Sequence, residues 1–303
     1  MVLHQVKYLI NGNVLPMSIL RHWFSERLYI ETVLGDGYSD ASIGKLNHAV
    51  AYIGVESEEN EYFFGKTEDY LNLFLYLYSL QTGQPWIKFQ NVGYTIASYT
   101  QLGTIDPGFP GFQHIEYMGD PLERHIEYLQ KLTRLFHQLE TDYENIMKSP
   151  SGLSLKFFHD AIMSNHRKEL DLAVVHFIIA AEALTIVGEE SKRQNVSKRI
   201  AVLSSESSTD YSEICRKMKD LYDVRSGIVH GGGKKATPVH VGDLFCYLRK
   251  AVLIRLSLRH LSKRELVSKL DAISVDWNKK KDLTSMQAFE FKARKIDTPS
   301  RNF

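Results

Sequence analysis

The stretch LYDVRSGIVHGGGKK, from Leu221 to Lys235, sets Arg225 and His230 five positions apart on the last turns of a helical pattern, directly before three glycines. Imidazole titrates near neutrality, so histidine serves as a proton acceptor or donor. Guanidinium is permanently charged and grips two oxygens of a phosphate through parallel donors. The two side-chain types therefore suit proton transfer at a phosphodiester whose developing negative charge a fixed cation stabilises. Geometry complicates this. Five positions on an ideal helix turn the chain by about 140°, so the pair does not share a stripe. Convergence needs the helix to unwind or tighten at Gly227 and at the terminal glycines. Basic residues also favour helix C-termini through the dipole, so a plain helix end is the competing reading.

The chain that must position these residues has 303 of them, 44% hydrophobic and 24% charged, an ordinary globular balance. No uninterrupted apolar run long enough for a membrane span occurs, and the opening residues lack a secretory signal's basic head and long apolar stretch. Two cysteines, Cys215 and Cys246, argue against a disulfide scaffold or a cysteine-based zinc site and suit a reducing cytoplasm. The 12 histidines show no metal-ligand spacing, so neither a metal nor a cofactor is expected. Gly65-Lys66-Thr67 ends like a phosphate-binding loop, but Asn60 stands where that pattern needs glycine.

Composition changes along the chain. His48–Ser57 and the run from Pro85 to Tyr99 are rich in β-branched and aromatic residues, as strands are. Between them a helix is predicted to open on a Thr67 cap and stop near Gly83. The segment GTIDPGFPGF breaks regular structure, and the domain boundary is placed near Gly119 or Asp120. Beyond it the pattern is helical throughout. The predicted helices are a long amphipathic one from Pro121, a short one around Phe157, a nearly all-apolar one through Ile178, one at VSKRIAVLS, one ending at His230 and a long final one from His240. The expected fold class is α+β overall. A mixed α/β domain over residues 1–120, of sensor, regulatory or substrate-binding role, would precede an all-α helical bundle over 121–303 that ends in a basic tail.

Three segments in order carry a family likeness. LYDVRSGIVHGG resembles the Tyr-x-x-Arg-Ser-x-x-x-His-Gly signature of HEPN domains, specifically the Apea-like branch. FIIAAEALTIVG resembles that family's second helix, with an acid inside an apolar run, and VSKRIAVLS resembles the short helix after it. The likeness covers about residues 150–262 and leaves the N-terminal part unassigned. It implies a metal-independent endoribonuclease in which Arg225 and His230 of two protomers meet at a homodimer interface. The 2′-hydroxyl would attack, leaving 2′,3′-cyclic phosphate and 5′-hydroxyl ends. RNA is the implied partner, and a bacterial defence or toxin effector the implied role. The alternative is a non-catalytic HEPN module that binds nucleotide, RNA or a partner protein. Some HEPN toxins carry a modifiable tyrosine two residues beyond the histidine; Gly232 stands there, so that mode of control is not expected.

Supporting residues follow. Glu182 is the one acid inside the apolar run from Leu172 to Val187. It either holds Arg225 or pairs with Arg199 or Lys198. Ser226 makes a local hydrogen bond or touches phosphate. Tyr222 is read as a core aromatic and Asp223 as solvated. Lys234 and Lys235 stand beside the helix end, where they would attract an RNA backbone. Net charge is also uneven: residues 1–120 hold 6 Lys and Arg against 13 Asp and Glu, and residues 121–303 hold 31 against 23. An acidic first part could thus cover a basic cleft in the second, in which case deletion of residues 1–120 raises activity.

Overall fold

The computed structural model describes residues 68–83 and 130–285 with their side chains, together with Leu28; elsewhere it describes only the backbone of regular elements. The chain divides into two compact units, one of Met1–Tyr78 with Trp86–Glu144 and one of Ser79–Pro85 with Asn145–Phe303.

In the first unit the backbone runs through six extended segments, His4–Ile10, Arg21–Trp23, Leu28–Val33, Val50–Ser57, Lys88–Ile96 and Tyr99–Leu102. Apart from Leu28, the core that can be named there is helical. Helix α1, Phe63–Thr82, begins four residues before the Thr67 start that the sequence suggests. It buries Leu71, Leu73, Phe74 and Leu77 completely. Phe74 and Tyr70 meet Phe136 of α2, Leu122–Leu139, edge to face at 5.6 and 5.1 Å. Tyr70 donates to Glu140 at 2.8 Å, which ties the end of α2 to the same contact.

The expectation of an α+β chain with a mixed α/β first domain is corrected here. Apart from Leu28, the fully described residues, 83% of them helical, contain no strand or sheet, and their fold is all-helical. The physical reason lies in what is buried. Among the described residues of the first unit, the buried large apolar side chains other than Leu28 lie on α1 and α2.

The second unit is a helical bundle. Its elements are α3 (Tyr143–Lys148, which begins in the first unit), α4 (Pro150–His166), α5 (Leu170–Thr185), α6 (Lys192–Ser204), α7 (Ser208–Val229), α8 (Pro238–Ser257), α9 (Lys263–Val275) and α10 (Lys280–Ser285). Helix α5 is apolar nearly all round and sits at the centre: Ala173, Val174, Phe177, Ile178, Ala181 and Leu184 are all fully buried. Phe158 of α4 contacts Phe177 of α5 at 5.2 Å and Phe245 of α8 at 5.7 Å, which joins three helices through one ring. Two long helices of the sequence reading are broken. The first stops at Leu139, and a 3-10 turn over Glu140–Asp142 leads into α3. The last divides into α8 and α9 because Ser262 and Glu265 form a reciprocal capping box that starts a new helix. Arg255, buried, satisfies the carbonyls of Leu258 and Leu261 at the break.

Candidate functional site

Helix α7 starts at Ser207, whose side chain accepts from the Asp210 amide, and runs unbroken through Gly227 to Val229. His230 is its last half-helical residue and donates its amide to the Ser226 carbonyl at 3.0 Å. Gly231 then takes φ +72°, a left-handed conformation that costs any residue with a Cβ about 1–2 kcal/mol. The Gly232 amide reaches back to the Gly227 carbonyl at 2.7 Å, the six-to-one bond of a Schellman ending. This closure needs two bare backbones: a Cβ on Gly232 would stand 3.3 Å from Gly227 Cα. A Cβ on Gly227 would stand 2.8 Å from the Lys234 Cβ, so the stem of Lys234 lies along that face of the helix. The loop beyond is anchored where the Ala236 amide donates to Asp171, in the first turn of α5, at 2.7 Å.

Arg225, half-buried, lies with its guanidinium carbon 5.9 Å from the centre of the Tyr222 ring, one turn earlier on the same helix. Its Nε is buried and has no hydrogen-bond partner. A buried donor left unmatched costs about 1–3 kcal/mol, so such a group marks a place where an acceptor is wanted. Tyr222 is held in turn: its hydroxyl donates to Glu182 of α5 at 2.9 Å. Burial, together with that bond and the carboxylate's charge, pushes the Tyr222 phenol up to about 12, so it stays a donor across the physiological range. The other oxygen of Glu182 lies 3.6 Å from Lys192 Nζ, at the start of α6.

These contacts place each residue singled out in the sequence. Glu182 pairs with Lys192, and reaches Arg225 only through the Tyr222 ring. Arg199 is committed elsewhere: it is buried and forks onto both Glu190 and Asp271, while also donating to the Thr185 carbonyl. That fork holds the Glu190 carboxyl below its ordinary value. Tyr222 is buried, and its hydroxyl is put to use in the site. The Asp223 side chain is partly solvent-exposed, as expected, and is paired. Arg193 forks onto it at 2.6 and 2.7 Å and keeps its carboxyl below the usual carboxylate range. Among the described residues, no hydrogen bond or ring contact joins Arg225 to His230, and the helix does not unwind at Gly227. The turn of about 140° between them therefore stands. His230, Lys234 and Lys235 are exposed, and Ser226 is half-buried.

Sequence reasoning missed Lys192 and Arg193. Both stand at the head of α6, in the run SKRQNVSKR. Their signal was faint, because a pair of basic residues opening a helix reads as a solvated face. Among the described residues no group of three or more His, Cys, Asp or Glu could hold a metal ion, and no helix is long and apolar enough to cross a membrane. Comparison with protein-family models, curated proteins and solved structures finds no match.

Proposed function

We propose that the chain is a metal-independent endoribonuclease of the HEPN type, acting as a homodimer in the cytoplasm with Arg225 and His230 as its catalytic residues. One observation carries this reading. A half-buried arginine with an unmatched Nε shares a helix end with an exposed histidine, and a built support of Tyr222 and Glu182 stands beneath the arginine. Rigid support of a cation is what transition-state stabilisation requires, because no reorganisation is then needed as charge develops.

In the proposed reaction the imidazole of His230 takes the proton of the ribose 2′-hydroxyl. The 2′-oxygen bonds to phosphorus and the bond from phosphorus to the 5′-oxygen breaks. That leaving oxygen gains a proton, from the second protomer's His230 or from water. Arg225 holds the non-bridging oxygens throughout. DNA lacks the attacking hydroxyl and is not cleaved. Because one chain keeps Arg225 and His230 about 140° apart around α7, the second copy is a functional requirement of this mechanism.

The test incubates purified protein with total RNA in EDTA, wild type beside His230→Ala and Arg225→Lys, and maps the fragment ends. Cleavage with 2′,3′-cyclic phosphate ends, lost in His230→Ala, supports the proposal. Equal cleavage by His230→Ala overturns it. The separation of Arg225 and His230 within one chain favours a second reading, a module that binds RNA, nucleotide or a partner without cutting. Saturable RNA binding with no cleavage by a folded dimer selects that reading.

A further inference from the structure

We propose that Lys192 is a third cation of this site and holds the phosphate next to the one that Arg225 grips, so that the ligand is an RNA strand rather than a single nucleotide. The proposal rests on reading the site as RNA-binding.

The carboxylate of Glu182 is shared in a particular way. One oxygen accepts the Tyr222 hydroxyl at 2.9 Å, a normal hydrogen bond. The other stands 3.6 Å from Lys192 Nζ, beyond the 2.7–2.9 Å typical of a charge-assisted bond. Lys192 is thus held near the site by attraction while its three donors remain open to a ligand. Exposure runs in the same direction: the Glu182 side chain is 16% exposed and that of Lys192 55%, so the ammonium forms the outer end of the cluster.

The neighbours explain why the position is fixed. Arg193 is committed to Asp223 by a two-bond fork, and that fork fastens the head of α6 to α7. Lys192, one residue earlier, is carried to the same edge as Tyr222 and Arg225. From the other side the stem of Lys234 rests on Gly227, and its charge reaches Asp223. Around this edge stand Lys192, Arg193, Arg225 and Lys234 with two carboxylates, Glu182 and Asp223; a third, Asp220, also acts on Arg193 but is paired with Arg216. Two positive charges remain in surplus before His230 is counted. One phosphodiester neutralises one of them; a strand presenting two successive phosphates neutralises both. The cations also come from separate elements, the head of α6, the end of α7 and the loop after it, so they frame a path along α7 instead of a single point.

The test uses a 2′-O-methyl oligoribonucleotide, which lacks the attacking hydroxyl and reports binding alone. Its affinity is read by fluorescence anisotropy from 50 to 200 mM salt. Each lost phosphate contact on a single strand lowers the salt slope by about 0.7, so over this fourfold range Lys192→Gln loses about 2.6-fold less affinity than wild type. Lys281→Gln, on α10, keeps the wild-type slope. Should Lys192→Gln lower the melting temperature, Lys192→Arg must restore the wild-type slope. An unchanged slope in Lys192→Gln, or failure of the arginine to restore it, overturns the proposal. The cleavage assay separates the two readings. A lowered slope with no RNA cut leaves the Lys192 contact standing and removes the nuclease; RNA cut with an unchanged slope does the reverse. No binding by wild type at any salt overturns both.

Discussion

Two of the glycines inside helices of the second unit, Gly227 and Gly242, invite the same substitution with opposite results. Gly242 is in α8, and a Cβ built on it meets nothing within 4 Å. Alanine there collects the full helical preference over glycine, about 1 kcal/mol. Gly227 is in α7 and would collect the same gain. Its Cβ, however, would stand 2.8, 3.0 and 3.1 Å from the Cβ, Cγ and Cδ of Lys234. Carbon pairs rest at about 3.5–4.0 Å, so all three atoms must withdraw by about half an ångström or more. The Lys234 Cβ is fixed to backbone, so the loop has to move with it, beside the bond from the Gly232 amide to the Gly227 carbonyl. Overpacking of this kind costs about 1–3 kcal/mol. Gly242→Ala therefore gains about 1 kcal/mol, while Gly227→Ala ranges from neutral to about 2 kcal/mol destabilised. At about 2–4 °C per kcal/mol, the melting temperatures of the two variants separate by between about 2 and 12 °C in scanning calorimetry. Gly227→Ala also weakens RNA binding, because Lys234 is displaced. If the two alanines stabilise the protein equally, Lys234 does not rest on Gly227, and the closure described for this helix end is wrong.

Stability should depend on pH through His159, which is half-buried with its Nδ1 2.7 Å from the Ser79 hydroxyl and whose pKa desolvation pushes down to about 4. The unfolded chain takes up that proton near pH 6.5, so stability is full above that value and falls by about 1.4 kcal/mol per unit as pH drops towards 4. Urea midpoints across that window measure the loss, and a wild-type slope retained in His159→Asn assigns it to another group. Tyr222→Phe keeps the ring beneath Arg225 but removes the donor to Glu182; a bond to a charged acceptor contributes about 1.5–3 kcal/mol, and the urea midpoint should fall accordingly. An unchanged midpoint would show that Glu182 is satisfied without Tyr222.

Local signals in the sequence were read more easily than those that depend on tertiary pairing. The apolar run of α5 announces a central helix because few of its faces offer a polar side chain to water. The three glycines after His230 announce a helix end because only glycine takes φ +72° without penalty. Ser262-x-x-Glu265 was equally visible as a capping box, yet the leucine spacing on either side ran on through it and suggested one helix where there are two. The strand-like runs before residue 100 do coincide with extended backbone, at Val50–Ser57 and Lys88–Ile96, yet they misjudged the fold class of the described residues. Residue type reports a preference for extended backbone but not which elements bury the core. The pairing of Lys192 with Glu182 was not legible at all. It depends on α5, α6 and α7 meeting at one edge, and Arg199, seven residues later on the same helix, is the more conspicuous partner by sequence.

The division of the chain also decides how the charge asymmetry can be tested. Deletion of residues 1–120 would remove α1 but keep α2. Leu132, Leu135, Phe136 and Leu139 of α2 are each no more than 2% exposed in the intact chain, and Phe136 packs on Tyr70 and Phe74 of α1. Baring them forfeits about 1.5–3 kcal/mol per side chain, so a change in activity would report damage as readily as release. A cut after Glu144 is no cleaner. It takes away Ser79, which bonds His159, and Leu80 and Gln81, which accept from Arg249. The informative perturbation leaves the chain whole and changes charge alone: Glu56, Glu58, Glu59 and Glu61 to glutamine removes 4 of the 13 acids in residues 1–120. If that acidic part covers the cations around Arg225, the variant binds the 2′-O-methyl strand more tightly at 50 mM salt and loses the advantage at 200 mM, because salt screens the attraction in wild type. Equal affinity at both salts means that the acidic part does not compete with RNA for these cations, and the unequal charge then has no regulatory role at this site.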